Sequence, residues 1–206
     1  MAEVQFDEVR YTQVLFRQLL DAMARPGKPV AVEPAPGGPG PWGIPKSRGD
    51  RCVLGIGLTL LDPETTFWLP ESDRGFGTLL QRHTRSQTAS VDRCDFAFVH
   101  GEQRFPIERL PRGTFTYPDR SATVVCRVRR FAREPFPADR LIHITLRGPG
   151  IPGERRLYID TVHPDTLVAW REINREFPLG LDWILVDGFG FVCGVPRSTS
   201  LEWEVL

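Results

Sequence analysis

The sequence contains very little lysine: Lys28 and Lys46 are the only two in 206 residues. An enzyme that uses pyridoxal phosphate needs a lysine amine for its Schiff base, held in a pocket that lowers the pKa of that amine. Lys28 precedes Pro29 just after the first predicted helix, and Lys46 follows Pro45 in a segment rich in proline and glycine. Because neither position favours a rigid pocket, we expect no pyridoxal cofactor and no pyridoxal chemistry.

The sequence also lacks the ligand spacings that are typical of metal sites. Its four cysteines are far apart and form no CxxC pair, and its four histidines form no HxH or HxxxH pair. Zinc and iron-sulfur sites built from local spacing are therefore unsupported, and we expect no metal. Cys52, Cys126 and Cys193 lie in apolar segments, which favours buried free thiols.

Neither sign of charge is in excess, since 26 basic residues balance 26 acidic ones. This balance disfavours a nucleic acid or an anionic membrane surface as a partner. No apolar run is long enough to cross a bilayer, and the segment from Met1 to Glu8 lacks the features of an export signal, so we expect a cytoplasmic protein. The basic stretch Arg127–Arg130 alternates with an apolar residue, which favours the solvent-facing side of a strand over a phosphate-binding patch.

Nucleotide-binding and nucleophile motifs are missing as well. Gly148–Gly153 fits the string GxGxxG, but two of its residues are prolines without amide protons, and a predicted strand follows it instead of a helix. The sequence contains no Walker motif and no GxSxG elbow. We therefore expect no ATP hydrolysis by this chain alone, whereas a catalytic triad from distant segments stays open.

The hydrophobic pattern predicts helices interleaved with strands in the first half and strands that follow one another in the second half. Helices are predicted over Phe6–Met23, Asp50–Leu61 and Ser72–Arg85, and from Pro164 to about Pro178. Strands are predicted over Val30–Glu33, Thr65–Leu69, Phe96–Val99, Ala122–Val128, Leu141–Leu146, Arg156–Thr161, Trp183–Val186, Phe191–Cys193 and Leu201–Val205. This order favours an α/β fold: one domain over residues 1–206, built as a three-layer α/β/α sandwich with a mixed sheet. Residues 34–49 are predicted to form a surface loop rich in proline and glycine.

Four residues could bind an anion. Arg197, Ser198 and Thr199 combine a cation with two hydroxyl groups between two strands, which suits a phosphate or a phosphonate. The alternative is an ordinary polar connection that also protects a sheet edge. His83, near a predicted helix end, could join them or simply cap the last helical carbonyls. Asp182 could bind a ligand or accept backbone hydrogen bonds at a turn.

Two segments of the chain resemble the signature ends of the PhnH family. They are Phe16–Gly27 (FRQLLDAMARPG) near the start, and Phe177–Asp182 (FPLGLD) continuing to Pro196–Thr199 (PRST) near the end. Weaker similarities occur between them in the expected order, at Leu58–Asp62, His83–Thr84, Thr123–Val124 and Leu146–Ile151. The resemblance thus covers nearly the whole chain, and it departs from the family pattern at Arg82, where relatives often have an aromatic residue.

The resemblance implies an accessory subunit of the carbon-phosphorus lyase core complex, which joins the G, I and J subunits and forms a homodimer when isolated. It further implies a fold similar in topology to pyridoxal-dependent transferases but without the cofactor. The associated reaction replaces the adenine of ATP with a phosphonate and forms a ribose 1-phosphonate 5-triphosphate, with the nucleosidase chemistry attributed to the I subunit. No catalytic residue is implied for the present chain, and we expect no activity from it alone.

Two hypotheses follow from the sequence. The first is an interaction subunit for phosphonate catabolism, in which the two signature segments build the fold and the docking surface. The second is a stand-alone protein or enzyme that binds a phosphonate or a nucleotide phosphate through Arg197, Ser198 and Thr199, with His83 as a further candidate.

Overall fold

Capping side chains mark where the first two helices begin. The computed structural model describes residues 7–36, 45 and 47–206, and within these ranges it contains α1 (Glu8–Ala24), α2 (Arg48–Leu60), α3 (Arg74–Thr84) and α4 (Pro164–Ile173). The side chain of Asp7 accepts a hydrogen bond from the Arg10 amide (3.0 Å), and Ser47 accepts one from the Asp50 amide (3.1 Å). Asp7 is thus the N-cap of α1, whereas Phe6 and most of the predicted loop over 34–49 lie outside the described residues.

The strands form two sheets, of which the larger is mixed. The strands are β1 (Val30–Ala31), β2 (Thr66–Trp68), β3 (Gln87–Thr88), β4 (Phe96–His100), β5 (Thr123–Arg127), β6 (Phe131–Ala132), β7 (Leu141–Arg147), β8 (Arg155–Asp160), β9 (Asp182–Val186), β10 (Phe191–Val195) and β11 (Ser200–Val205). The larger sheet has the order β1-β10-β9-β5-β4-β2-β3, in which β3, β2, β4, β5 and β9 pair in parallel, whereas β10 pairs antiparallel with both β9 and β1. The smaller sheet is antiparallel, with the order β11-β7-β8-β6. The predicted mixed sheet in an α/β fold is therefore confirmed.

Each face of the larger sheet buries a separate apolar layer. The central strands β4, β5 and β9 are buried on both faces, as expected for parallel strands that are covered on two sides. One face packs against α1, α2 and α3, and the other packs against α4 and the smaller sheet. The third layer thus contains a second sheet besides a helix, a feature that the sequence pattern did not reveal. The predicted likeness to pyridoxal-dependent transferases stays a prediction.

A stacked pair of tryptophans marks the centre of the second layer. Trp170 of α4 and Trp183 of β9 are both fully buried, and their ring centroids lie 4.2 Å apart. Truncation of such a side chain to alanine costs about 3–5 kcal/mol. The pair therefore fixes α4 against the larger sheet.

The connection from β10 to β11 leaves the larger sheet and enters the smaller one. The strands predicted over Trp183–Val186 and Phe191–Cys193 are confirmed as parts of β9 and β10, which form an antiparallel hairpin with Val192 opposite Val186. The next strand, β11, pairs with β7, with Leu201 opposite Leu146. The segment between them, Pro196–Thr199, therefore bridges the two sheets.

The structure corrects the interpretation of the basic stretch. The strand β5 ends at Arg127, whose side chain is only 28% exposed, and Val128 beyond it is buried. Arg129 and Arg130 lie past the strand end and are exposed. These arginines therefore lie at the carboxyl end of a parallel strand and not along its solvent-facing side.

Among the described residues, no helix is both long and apolar enough to cross a membrane.

Candidate functional site

The guanidinium group of Arg197 is bound within the protein at the amino end of β9. Its Nε donates hydrogen bonds to both carboxylate oxygens of Asp182 (3.2 Å each), its Nη2 pairs with Oδ2 of that carboxylate, and its Nη1 donates to the Pro118 carbonyl. The Arg197 amide also donates to Asp182 Oδ1 (2.8 Å). The two side chains are only 15% and 19% exposed. An incoming anion would have to compete with a carboxylate that already holds this cation.

The two halves of the C-terminal signature form one substructure around this ion pair. The Asn174 side chain accepts a hydrogen bond from the Leu181 amide (2.9 Å) and donates one to the Leu181 carbonyl (3.0 Å). Gly180 has φ +144°, and a Cβ there would lie 3.0 Å from Cβ of Arg197 and 2.8 Å from Oδ1 of Asn174. The close approach at Gly180 and the ion pair between Asp182 and Arg197 therefore join FPLGLD and PRST into one substructure.

The two hydroxyl residues beside Arg197 differ in their surroundings. Thr199 is buried, its amide donates to the Pro196 carbonyl (2.9 Å), and its Oγ1 has no hydrogen-bond partner among the described residues. Ser198 is half-buried, and its carbonyl contacts the glycine turn at Gly148. The hydrogen bond from the Thr199 amide to the Pro196 carbonyl closes a turn, which agrees with a structural connection. Anion binding by this segment stays a prediction.

His83 lies far from Arg197. It is exposed in the last turn of α3, which leads directly into β3 at the edge of the larger sheet. Five strand spacings separate β3 from β10, roughly 24 Å at the usual distance between neighbouring strands. The structure therefore brings Arg197, Ser198 and Thr199 together and leaves His83 apart from them.

A crevice opens at the carboxyl ends of the parallel strands, where α/β proteins commonly bind ligands. It has a volume of about 310 Å³, and His100 at the end of β4 and Arg127 at the end of β5 line it. Asp50 in the first turn of α2 and Asp73 at the start of α3 lie opposite them. The apolar part of the wall is formed by Val53, Leu69, Phe76, Phe98 and Val99.

Two pairs of polar side chains bridge this crevice. Arg127 Nη1 forms an ion pair with Asp50 Oδ1, and Arg127 Nη2 donates to Ser47 Oγ (3.4 Å). Nε2 of His100 lies 3.6 Å from Oδ2 of Asp73. Burial lowers the pKa of the Arg127 guanidinium below its ordinary value, although an arginine stays charged at neutral pH. The arrangement can offer a cation and an imidazole–carboxylate pair to a small polar molecule.

Sequence reasoning missed the crevice, although a signal for it existed. His100 and Arg127 are the last residues of apolar strands, and Asp50 and Asp73 lie where helices begin. In a parallel sheet such positions converge at one edge. Recognising the crevice requires the strand order, which places β4 beside β5. The sequence pattern does not show this order.

The N-terminal signature docks against the strand that leads to Arg197. A Cβ on Gly194 of β10 would lie 2.7 Å from the Ala22 backbone, and the Gly27 amide donates to the Gly194 carbonyl (3.1 Å). Nη1 of Arg155 donates to the Pro26 carbonyl (2.5 Å) and to the Arg25 carbonyl (3.2 Å). The N-terminal signature therefore packs against β10, the strand that leads into Pro196–Thr199, and α1 is held against the sheet there.

All four cysteines are buried free thiols, as predicted for three of them. Burial raises the pKa of Cys52 to about 11, and that of Cys94, Cys126 and Cys193 to about 12. These thiols behave as small apolar side chains. Within the part of the chain that the structure describes, no three potential ligands among His, Cys, Asp and Glu are placed to hold a metal ion.

Comparison with known proteins identifies a family. The model of the family described as bacterial phosphonate metabolism protein (PhnH) matches residues 5–202. A protein of Stutzerimonas stutzeri assigned as the C-P lyase subunit protein HtxG is 33% identical over 191 residues, which cover 92% of this chain and 85% of the relative. The alpha-D-ribose 1-methylphosphonate 5-triphosphate synthase subunit PhnH of Rhizobium meliloti (strain 1021) is 30% identical over 203 residues, or 96% of this chain and 94% of the relative. With both signature segments inside the matched region, the chain belongs to the PhnH family of bacterial phosphonate metabolism proteins.

Proposed function

We propose that this chain is an accessory subunit of the carbon-phosphorus lyase complex and supports formation of a ribose 1-phosphonate 5-triphosphate from ATP and a phosphonate. The observation that carries the proposal is the family match over residues 5–202, together with two relatives that are named as subunits. The proposed partners are the G, I and J subunits. Alone, the chain forms a homodimer without turnover, folded as one domain over residues 1–206 and located in the cytoplasm.

The geometry of the signature residues supports an accessory role. Arg197 and Asp182 satisfy each other, and Gly194 and Gly27 join α1 to β10. These residues assemble a scaffold and leave few polar groups for a substrate. A scaffold of this kind suits a subunit whose surface, and not a reactive centre, contributes to the complex.

The test is co-expression of the tagged chain with the G, I and J subunits from the same organism, followed by affinity purification and mass determination of the eluted species. We expect a complex of fixed stoichiometry. Recovery of the chain alone, while the other three subunits assemble with each other, would contradict the proposal. A turnover assay of the isolated chain with ATP and methylphosphonate is the companion measurement, and measurable product would contradict the accessory role.

A further inference from the structure

A groove lies where the edges of the two sheets meet, outside the crevice and the Arg197 cluster. It has a volume of about 470 Å³. Pro29 before β1 lines one side, β6 with Phe131 and Ala132 lines another, and Phe189 and Phe191 of the β9–β10 hairpin line the remainder. We call it the aromatic groove.

The aromatic groove exposes two large apolar side chains. Phe189 is 58% exposed and Phe191 is 40% exposed. Half-exposed phenylalanines of this kind are typical anchors of protein interfaces, where covering them excludes water. The groove is therefore suited to an apolar or aromatic side chain from a partner.

The rim of the aromatic groove is cationic. The exposed guanidinium groups of Arg130 and Arg133 border it, and neither lies within ion-pair distance of a carboxylate of the described residues. Arg130 lies over the Phe136 ring (4.3 Å to the centroid) and near the Phe189 ring (5.8 Å), which holds the cation beside the aromatic surface. A partner that complements this rim must supply carboxylates.

The one carboxylate in the lining is buried beneath the rim, where it offsets part of the charge of Arg130. Asp187 is only 2% exposed, and its Oδ1 accepts hydrogen bonds from the amides of Phe189 and Phe191 (2.9 Å each). Its role is to shape the hairpin turn, which also fixes the positions of the two phenylalanines. The accessible face of the groove therefore combines apolar surface with positive charge.

We propose that the aromatic groove docks a segment of a partner subunit in which aromatic or aliphatic side chains are interspersed with aspartate or glutamate. The inference rests on the proposed function, since it takes the partner from the same complex. The apolar residues of that segment cover Phe189 and Phe191, and its carboxylates pair with Arg130 and Arg133. Binding of this kind is weakened by salt, because the ion pairs lie at an exposed rim.

The experiment uses the full-length chain together with the tagged G, I and J subunits. The test variants are Phe189→Ala and Arg133→Glu, with Arg133→Lys as the conservative partner. Phe115→Ala and Arg93→Glu serve as matched controls, because both residues are exposed and lie at the amino ends of the parallel strands, away from the groove. A thermal melt of each isolated chain verifies folding, and titration of the chain onto the other subunits measures affinity at low and high salt.

We expect Phe189→Ala and Arg133→Glu each to lower the affinity by about tenfold or more, the scale of an interface hot spot. The lysine variant and both controls should bind as the wild type does, and added salt should weaken the wild type more than Arg133→Glu. Unchanged affinity in both test variants would overturn the inference and leave the proposed function standing. Failure of the wild type to join the other subunits would overturn both. Conversion of an isolated dimer to a monomer by Phe189→Ala, with complex affinity unchanged, would assign the groove to a second copy and overturn the inference.

Discussion

The two ends of the parallel strands carry similar ion pairs in different surroundings. At the amino end, Arg197 is held by Asp182 and by the Pro118 carbonyl, and both charged side chains are less than one-fifth exposed. At the carboxyl end, Arg127 pairs with Asp50 at the wall of a crevice, with side chains 28% and 30% exposed. The first pair closes a substructure, and the second borders space that a small molecule can enter.

The difference shows that residue types alone do not identify a ligand site. The Arg-Ser-Thr segment contains the groups that bind anions in many proteins, yet its arginine is used internally. The Arg127–Arg130 stretch looked like a solvated strand face, yet its first member lines the crevice. The fold places Arg197 in an enclosed ion pair and Arg127 at the wall of a crevice. Three measurements on isolated variants sharpen this comparison, from the largest expected effect to the smallest.

The largest effect is expected at the amino end. Arg197→Ala leaves Asp182 poorly solvated without its cation, so we expect the free energy of unfolding to fall by about 3 kcal/mol. Urea denaturation at neutral pH measures it. Combining this change with Asp182→Ala should cost clearly less than the sum of the two single changes, because the second removes the unpaired charge. Strict additivity would mean that the pair does not act as a unit and would favour the prediction that Arg197 binds an anion.

A smaller effect is expected at the carboxyl end. Arg127→Ala removes an ion pair that is nearer to solvent, so we expect a loss of only about 1 kcal/mol in the same urea experiment. Arg93→Ala, an exposed arginine at the amino end of β4, is the matched control and should change stability by less than about 0.5 kcal/mol. A loss at Arg127 that equals the loss at Arg197 would contradict the distinction between a closed and an open pair.

The smallest effect on stability is expected at Asp187, the residue directly after β9. Burial raises the pKa of Asp187 in the folded state, although hydrogen bonds from the hairpin amides oppose the shift. A raised folded-state pKa contributes stability that is fully present below the ordinary aspartate pKa and is lost as the pH rises through the folded-state value. The wild type should therefore lose stability relative to Asp187→Asn as the pH rises from about 4 to 7. Urea midpoints of both proteins across this range measure the difference, and the opposite trend would show that the hairpin hydrogen bonds outweigh burial.

Local signals were sufficient for most of the elements. The helix predicted over Phe6–Met23 is observed at Glu8–Ala24, and the strand predicted over Leu141–Leu146 extends by one residue to Arg147. Caps, turn residues and apolar periodicity act within a few residues, so they can be recognised in a single sequence. The two short strands β3 and β6 were missed because two residues carry no period.

The candidate sites depended on contacts between distant residues. Asp50 and Arg127 are 77 positions apart, and Asp182 and Arg197 are 15 apart on either side of a hairpin. Sequence reasoning named Asp182 and Arg197 separately and did not pair them, because the pairing depends on the register of β9 and β10, in which Val195 lies opposite Trp183.

The sequence by itself determined the family, the mixed α/β class and the absence of an excess charge, because these depend on motifs, periodicity and composition. Only the tertiary structure decided which arginine is enclosed, which one lines the crevice and which phenylalanines are exposed at the aromatic groove. The physical reason is that strand order and packing between distant elements decide how deeply each side chain is buried. The degree of burial in turn sets the free energy of a charged group or an aromatic ring.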